Sequence, residues 1–173
     1  MLLPYSKQQQ IKPISANNES KYAQIATEVE NNDLLELLTP KFLYYIQENQ
    51  TDPNVIKLMT GDVFVDCSGD TIKHLGLNYV IAYLNYSKYV LTSPITDTYT
   101  GFVQKVRQEA ENINPKQQIE LINNCKSIAL IQFDIIKKYL DVKKDIFTKW
   151  CPTKSVERIT PKFIPISKTN YGK

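Results

Sequence analysis

Residues 114–141 read NPKQQIELINNCKSIALIQFDIIKKYLD, and their spacing decides the fold. Ile122, Cys125, Ala129, Phe133, Ile136 and Leu140 recur three and four apart, which lays one apolar seam along an α-helix. Asn114–Pro115 is a capping residue followed by proline, a helix start signal. At about 1.5 Å per residue this helix is about 40 Å long. Lys137 and Lys138 suit the negative end of its dipole. A seam of this kind is buried against other helices, so the stretch predicts a helical bundle.

Upstream, a second long helix is expected from a cap at Asp70 or Thr71 to about Leu91. Leu75, Leu77, Val80, Ile81, Leu84 and Val90 are apolar, and Tyr79, Tyr83, Tyr86 and Tyr89 cover most of the rest. A helix apolar nearly all round is central, with neighbours on several sides. Between the two helices, Ser93–Lys105 (SPITDTYTGFVQK) is rich in Thr and β-formers around a Thr-Gly pair. It predicts a protruding loop or hairpin. Val106–Asn112 reads as a short polar helix.

Shorter helices precede these. Asn17 or Asn18 caps the first, with Glu19 at its positive end and Tyr22, Ile25, Ala26 and Val29 on one face. Asn31 and Asn32 interrupt it, and Asp33 starts a short turn through Leu38. Thr39–Pro40 and Asp52–Pro53 each repeat the cap-plus-proline signal, and Gly61 ends the second helix. Phe42, Leu43 and Ile46 form the buried face of the helix after Thr39. Asp62–Asp70 (DVFVDCSGD) reads as a loop or one arm of a small hairpin. Val142–Trp150 either extends the last helix or forms one more short one, with Ile146, Phe147 and Trp150 apolar.

The expected fold class is therefore all-α: an antiparallel helical bundle of two long and two or three short helices. A small hairpin or loop excursion occupies 93–105, within a bundle domain of 17–150. Residues 1–16 are expected to form an extended arm, since Pro4 and Pro13 bar a helix interior, with Ile11 and Ile14 anchored in a neighbour or on the body. Residues 151–173 form a second arm, CPTKSVERITPKFIPISKTNYGK. It carries five Lys/Arg (Lys154, Arg158, Lys162, Lys168, Lys173) against Glu157, a net charge of +4. Pro152, Pro161 and Pro165 break regular structure, yet Val156, Ile159, Phe163, Ile164, Ile166 and Tyr171 are apolar or aromatic. Ordering each residue costs about 1–2 kcal/mol, so such a segment orders only against another surface. It reads as a docking arm, against the plainer reading of a disordered basic tail.

At 173 residues the chain is one domain with arms. A net charge of +3 and a pI near 8.6 are too mild to demand a nucleic-acid partner. No stretch reaches the ~18–20 apolar residues that span a bilayer, and Met1–Tyr5 lacks the basic start of a signal peptide. Cys67, Cys125 and Cys151 are odd in number and widely spaced, which suits free thiols in a reducing compartment. Eleven tyrosines are more distinctive: Tyr favours interfaces that are apolar on one side and wet on the other.

Catalytic chemistry is not legible. His74 is the sole histidine, placed near a helix start with no ligand at metal spacing, and reads as a surface or packing residue. No nucleophile is placed beside it, and no phosphate-binding glycine motif occurs. Asp62, Asp66 and Asp70 recur four apart but lack calcium-loop spacing, so they read as solvated loop acids. Cys125 falls on the apolar seam and reads as core. No catalytic, cofactor or metal residues are expected, and an enzyme is the reading least favoured.

One family resemblance joins these parts. The start LLPYSKQQQIKPIS, the capped helix of NNESKYAQIATEVENNDLLELL, the helix LNYVIAYLNYSKYV, the Thr-rich excursion and the final helix occur in an order that resembles the head–tail connector (adaptor, or head-completion) proteins of tailed phages. The version from crAss-like phages is the one it resembles most. The match covers roughly residues 1–141, and no catalytic motif anchors it. The resemblance implies a virion protein at the head–tail junction, assembled in the bacterial host cytoplasm. Copies would form a homo-oligomeric ring, usually twelvefold, beneath the portal, extending the channel through which double-stranded DNA passes non-specifically. Its partners would be the portal, further copies of itself, and a tail or further ring protein, with no membrane. The arm would climb onto the portal, with Phe163, Ile164, Ile166 and Tyr171 docking and Arg158, Lys162 and Lys168 meeting acidic surface. Ile95, Tyr99, Phe102 and Val103 would meet a ring neighbour or the tail. Two other readings stay open: a small helical nucleic-acid-binding protein using its basic tail and tyrosines, and a helical adaptor subunit in a cell.

Overall fold

The computed structural model describes residues 1–14, 19–92, 95–98, 101–104 and 115–151. Two antiparallel helices form its spine, α6 (Leu77–Thr92) and α7 (Pro115–Val142). Gln118 Nε2, near the start of α7, donates to the Val90 carbonyl near the end of α6 at 2.8 Å. The inner seam of α7 is buried as read: Ile122, Cys125, Ala129, Phe133, Ile136 and Leu140, joined by Tyr139. Ala82 and Ala129 are fully buried small residues that let the two helices approach closely. α6 is central, touching α1 (Tyr5–Ile11), α2 (Glu19–Glu28) and α5 (Pro53–Thr60) as well as α7.

The short helices start where capping chemistry places them. Thr39 Oγ1 accepts the Phe42 N–H at 3.4 Å ahead of the helix Pro40–Glu48, and Asp52 Oδ1 accepts the Asn54 N–H at 2.7 Å ahead of α5. Asn31 and Asn32, expected to interrupt the first helix, do not: α2 runs on through a π-helical turn, Val29–Asp33, into α3 (Leu34–Leu37). Val29 and Leu34 are both fully buried. Five residues apart, they would diverge by about 140° on an α-helix. The wider π turn brings both to the core side. In this numbering Pro40–Glu48 is α4.

Three further expectations are corrected. The N-terminal stretch is not an extended arm: Tyr5–Ile11 is a helix. Its prolines bracket it, with Pro4 at the cap and Pro13 beyond the end, where a missing N–H costs nothing. Leu2 and Leu3 are buried in the main core, and Ile14 packs with Tyr22 and Ala26 on the same body. The second long helix does not begin at residue 71. Thr71–His74 is strand β2, paired antiparallel with β1 (Asp62–Val65) in the register Asp62↔His74 to Val65↔Thr71. The helix waits for Gly76, whose φ of +84° ends the hairpin. α7 ends at Val142, and residues 143–150 form turns and no further helix, burying Phe147 and Trp150 and exposing Ile146.

The excursion after α6 is a hairpin, β3 (Ile95–Thr98) paired antiparallel with β4 (Gly101–Gln104). The fold is thus mainly helical and not all-α, with two two-stranded hairpins among the described residues. The expected polar helix at Val106–Asn112 lies outside the described residues. An aromatic cluster closes one end of the core. Phe42 lies edge-on to Phe147 at 6.0 Å and to Trp150 at 5.3 Å, and Tyr139 links Phe147 (6.1 Å) to Phe64 (5.4 Å). Burying each such ring contributes about 1.5–3 kcal/mol.

Candidate functional site

Of the residues expected to meet a ring neighbour or tail, three lie in the second hairpin. Ile95 pairs with Gln104, Val103 with Thr96 and Phe102 with Asp97. Tyr99 lies outside the described residues, as do Arg158, Lys162, Phe163, Ile164, Ile166, Lys168 and Tyr171 of the arm. The root of the arm is fixed: Trp150 is buried, and its indole N–H donates to Asp141 Oδ1 at 3.0 Å. Cys151 follows on the surface.

The body carries a surface that sequence reasoning passed over. Leu121, Ile128, Ile135 and Val142 recur every seven residues along α7, with Ile131 among them. Seven residues are close to two turns, so these side chains form a second stripe, roughly 120° around the helix from the buried seam. Leu121, Ile128 and Ile135 are half-buried, while Ile131 is 58% and Val142 42% exposed. A helix of a compact monomer needs one apolar face; α7 has two. The seven-residue recurrence was the available signal, masked by the stronger inner seam.

Asp62, Phe64, Ile72 and His74 occupy the inner face of the first hairpin, and Val63 and Val65 its exposed outer face. His74 is fully buried, not on a helix, and its ring lies 4.4 Å from that of Tyr139. Neither ring nitrogen has a protein partner. Burial holds its pKa below the ordinary histidine value, and the negative charge of Asp62 opposes that only in part. Tyr139 is pushed up to about 12 by burial, then by Asp62, whose carboxylate also accepts its hydroxyl proton. Asp62 further pairs with Lys57 at 3.9 Å. His74 is thus a buried ring packed against Tyr139.

The tyrosines of α6 are tied down. Lys12 Nζ lies 4.6 Å from the Tyr86 ring and 5.6 Å from Tyr83, and Lys21 lies 5.9 Å from Tyr89. Tyr79 donates to the Tyr83 hydroxyl at 3.1 Å; this bond, ahead of burial, pushes the Tyr79 phenol up to about 12. Lys12 thus ties the N-terminal segment to α6, and Lys21 ties α2 to α6.

The remaining chemistry is quiet. Burial pushes the Cys125 thiol up, away from reactive thiolate, while Cys67 and Cys151 are exposed. Asp66 Oδ1 accepts the N–H of Ser68 and Asp70, which makes it a turn residue. Among the described residues no group of three or more His, Cys, Asp or Glu is placed to hold a metal ion, and no helix is long and apolar enough to cross a membrane. An open groove of about 670 Å³ runs along α2 and the π turn, lined by Ala23, Gln24, Thr27, Glu28, Asn31 and Asn32. Comparison with known proteins finds one family model, described as a family of unknown function (DUF6712), matching residues 33–160. No curated protein and no solved structure matches the chain.

Proposed function

The chain belongs to the DUF6712 family, whose model spans about three quarters of it, and we propose that it is a structural connector, not an enzyme: copies pack into a ring, usually twelvefold, beneath a phage portal, extend the DNA channel and mount the tail. The observation that carries this reading is the second apolar stripe of α7. Side-by-side packing of copies would bury Ile131 and Val142, which a lone body leaves in water. At about 25 cal/mol per Å² removed from water, a modest contact repeated around a ring holds through avidity. The resemblance of the element order to phage connectors supplies the partner class. The arm, rooted at Trp150, is the portal-docking element, with Phe163, Ile164 and Ile166 as anchors, and the β3–β4 hairpin meets a ring neighbour or the tail. The mild charge suits a channel that lets DNA slide.

The test is the mass of the purified protein in solution, alone and mixed with the portal of the same phage, followed by electron-microscope class averages. A ring capping the portal supports the proposal. A monomer that ignores the portal but shifts on DNA, with steep salt dependence, replaces it by the nucleic-acid reading.

A further inference from the structure

The β1–β2 hairpin has no third strand on either side among the described residues. The Asp66 N–H donates to the Asp70 carbonyl at 2.9 Å. Alternation along an antiparallel ladder then makes Phe64–Ile72 and Asp62–His74 the bonded pairs. Val63 and Val65 therefore turn their backbone groups to the outer edge of β1. The Val63 N–H donates to Oδ1 of the preceding Asp62 at 2.9 Å. Their side chains are 53% and 55% exposed. β2 lies closer to α7 than β1 does, which makes β1 the less covered edge. An open edge flanked by exposed valines is a template for a further strand.

We propose that β1 binds the chain's own C-terminal segment, Lys162–Lys168 (KFIPISK), as a third strand within the same molecule. Proline parity carries the first part of the case. With Ile164 and Ile166 opposite Val65 and Val63, the isoleucines bond through their backbones and lay their side chains beside the valines. Pro165 then falls opposite Phe64, at a non-bonded position, and its missing N–H faces away from β1. Charge carries the second. Residues 61–74 hold Asp62, Asp66 and Asp70 against Lys73, net −2, while 152–173 is net +4. Position carries the third. Phe64 of β1 meets Tyr139, Tyr139 meets Phe147, and the buried Trp150 three residues on is the root of the segment. The ten residues 152–161 reach about 33 Å when extended. Tethering at that range gives an effective concentration of order millimolar, so a weak edge suffices. The inference holds for a protein that never meets a portal; on the connector reading, the same segment would exchange from hairpin to portal.

The test is residue-resolved hydrogen exchange on the full-length chain, at two protein concentrations. The Val65 amide is expected to exchange at least about tenfold slower in the wild type than in Ile164→Asp/Ile166→Asp, and equally at both concentrations. In Val63→Asp/Val65→Asp, with circular dichroism unchanged, exchange across 163–167 should rise. Equal Val65 rates in the wild type and the isoleucine variant would overturn the proposal. That variant leaves the described body untouched, so it stays decisive if the valine variant fails to fold. Protection that fades on dilution would also overturn it, assigning the edge to a second copy. So would segment protection that survives the valine changes. Portal binding, read separately by mass, can fail or hold independently of these rates.

Discussion

Gly61 and Gly76 meet backbone to backbone at the base of the first hairpin: a Cβ on Gly76 would lie 2.5 Å from the Gly61 nitrogen and 2.5 Å from the Met59 carbonyl oxygen. Both have positive φ, +105° and +84°. This crossing joins the end of α5 to the start of α6 and locks β1 against β2. Gly76→Ala is expected to cost about 3 kcal/mol or more, because strain and clash act together. Gly69, at φ +88° with open space where a Cβ would stand, should cost only about 1–2 kcal/mol as Ala. Equal urea midpoints for the two variants would refute the close approach.

Glu30 is buried and accepts the Leu2 N–H at 2.5 Å, which fastens the N-terminal segment to the π turn. Glu30→Ala should cost about 1–3 kcal/mol, since it strands a buried donor. Glu28→Ala, whose partner Lys88 lies 3.9 Å away on the surface, should stay within about 0.5 kcal/mol. Denaturant melts of both variants decide this, and comparable losses would mean Glu30 is not an anchor.

His74 titrates at a lower pH folded than unfolded. Its contribution to stability is therefore complete above the unfolded value near 6.5 and is lost as pH falls below it, because the unfolded chain takes up the proton first. The slope from this one group reaches at most about 1.4 kcal/mol per pH unit. His74→Leu should flatten the decline of melting temperature between about pH 7.5 and 5.5. Parallel curves for the two proteins would show that His74 does not drive it.

Ile131 and Val142 test assembly apart from folding. Ile131→Glu/Val142→Glu should leave monomer stability within about 1 kcal/mol, as both side chains are substantially exposed. Ring formation with the portal should be lost, because charge is placed in an apolar contact. Rings of normal mass from this variant would move the subunit interface off α7.

Features that rest on local chemistry were open to sequence reading. The inner seam of α7 needs only three-and-four spacing, and the starts at Pro40 and Pro53 need only a cap and a proline. The β3–β4 hairpin announced itself through Thr and β-branched residues around Thr-Gly. What the sequence alone determined is thus a mainly helical body organised by α6 and α7, because helical periodicity and capping are settled within a turn or two of each residue.

Tertiary structure decided the rest, because the deciding energies come from residues far along the chain or on a facing element. Thr71–His74 followed a good capping residue, yet pairing with Asp62–Val65 and burial of Phe64 and His74 against Tyr139 made it a strand. Tyr5–Ile11, too short to hold alone, is a helix because Gln8 donates to the Ala82 carbonyl at 3.2 Å and Tyr22 donates to the Leu3 carbonyl at 2.6 Å. The exposure of Val63, Val65, Ile131 and Val142 was likewise invisible in spacing. An apolar residue in a sequence looks the same whether a neighbouring element covers it or leaves it for a partner, and only the packed body distinguishes the two.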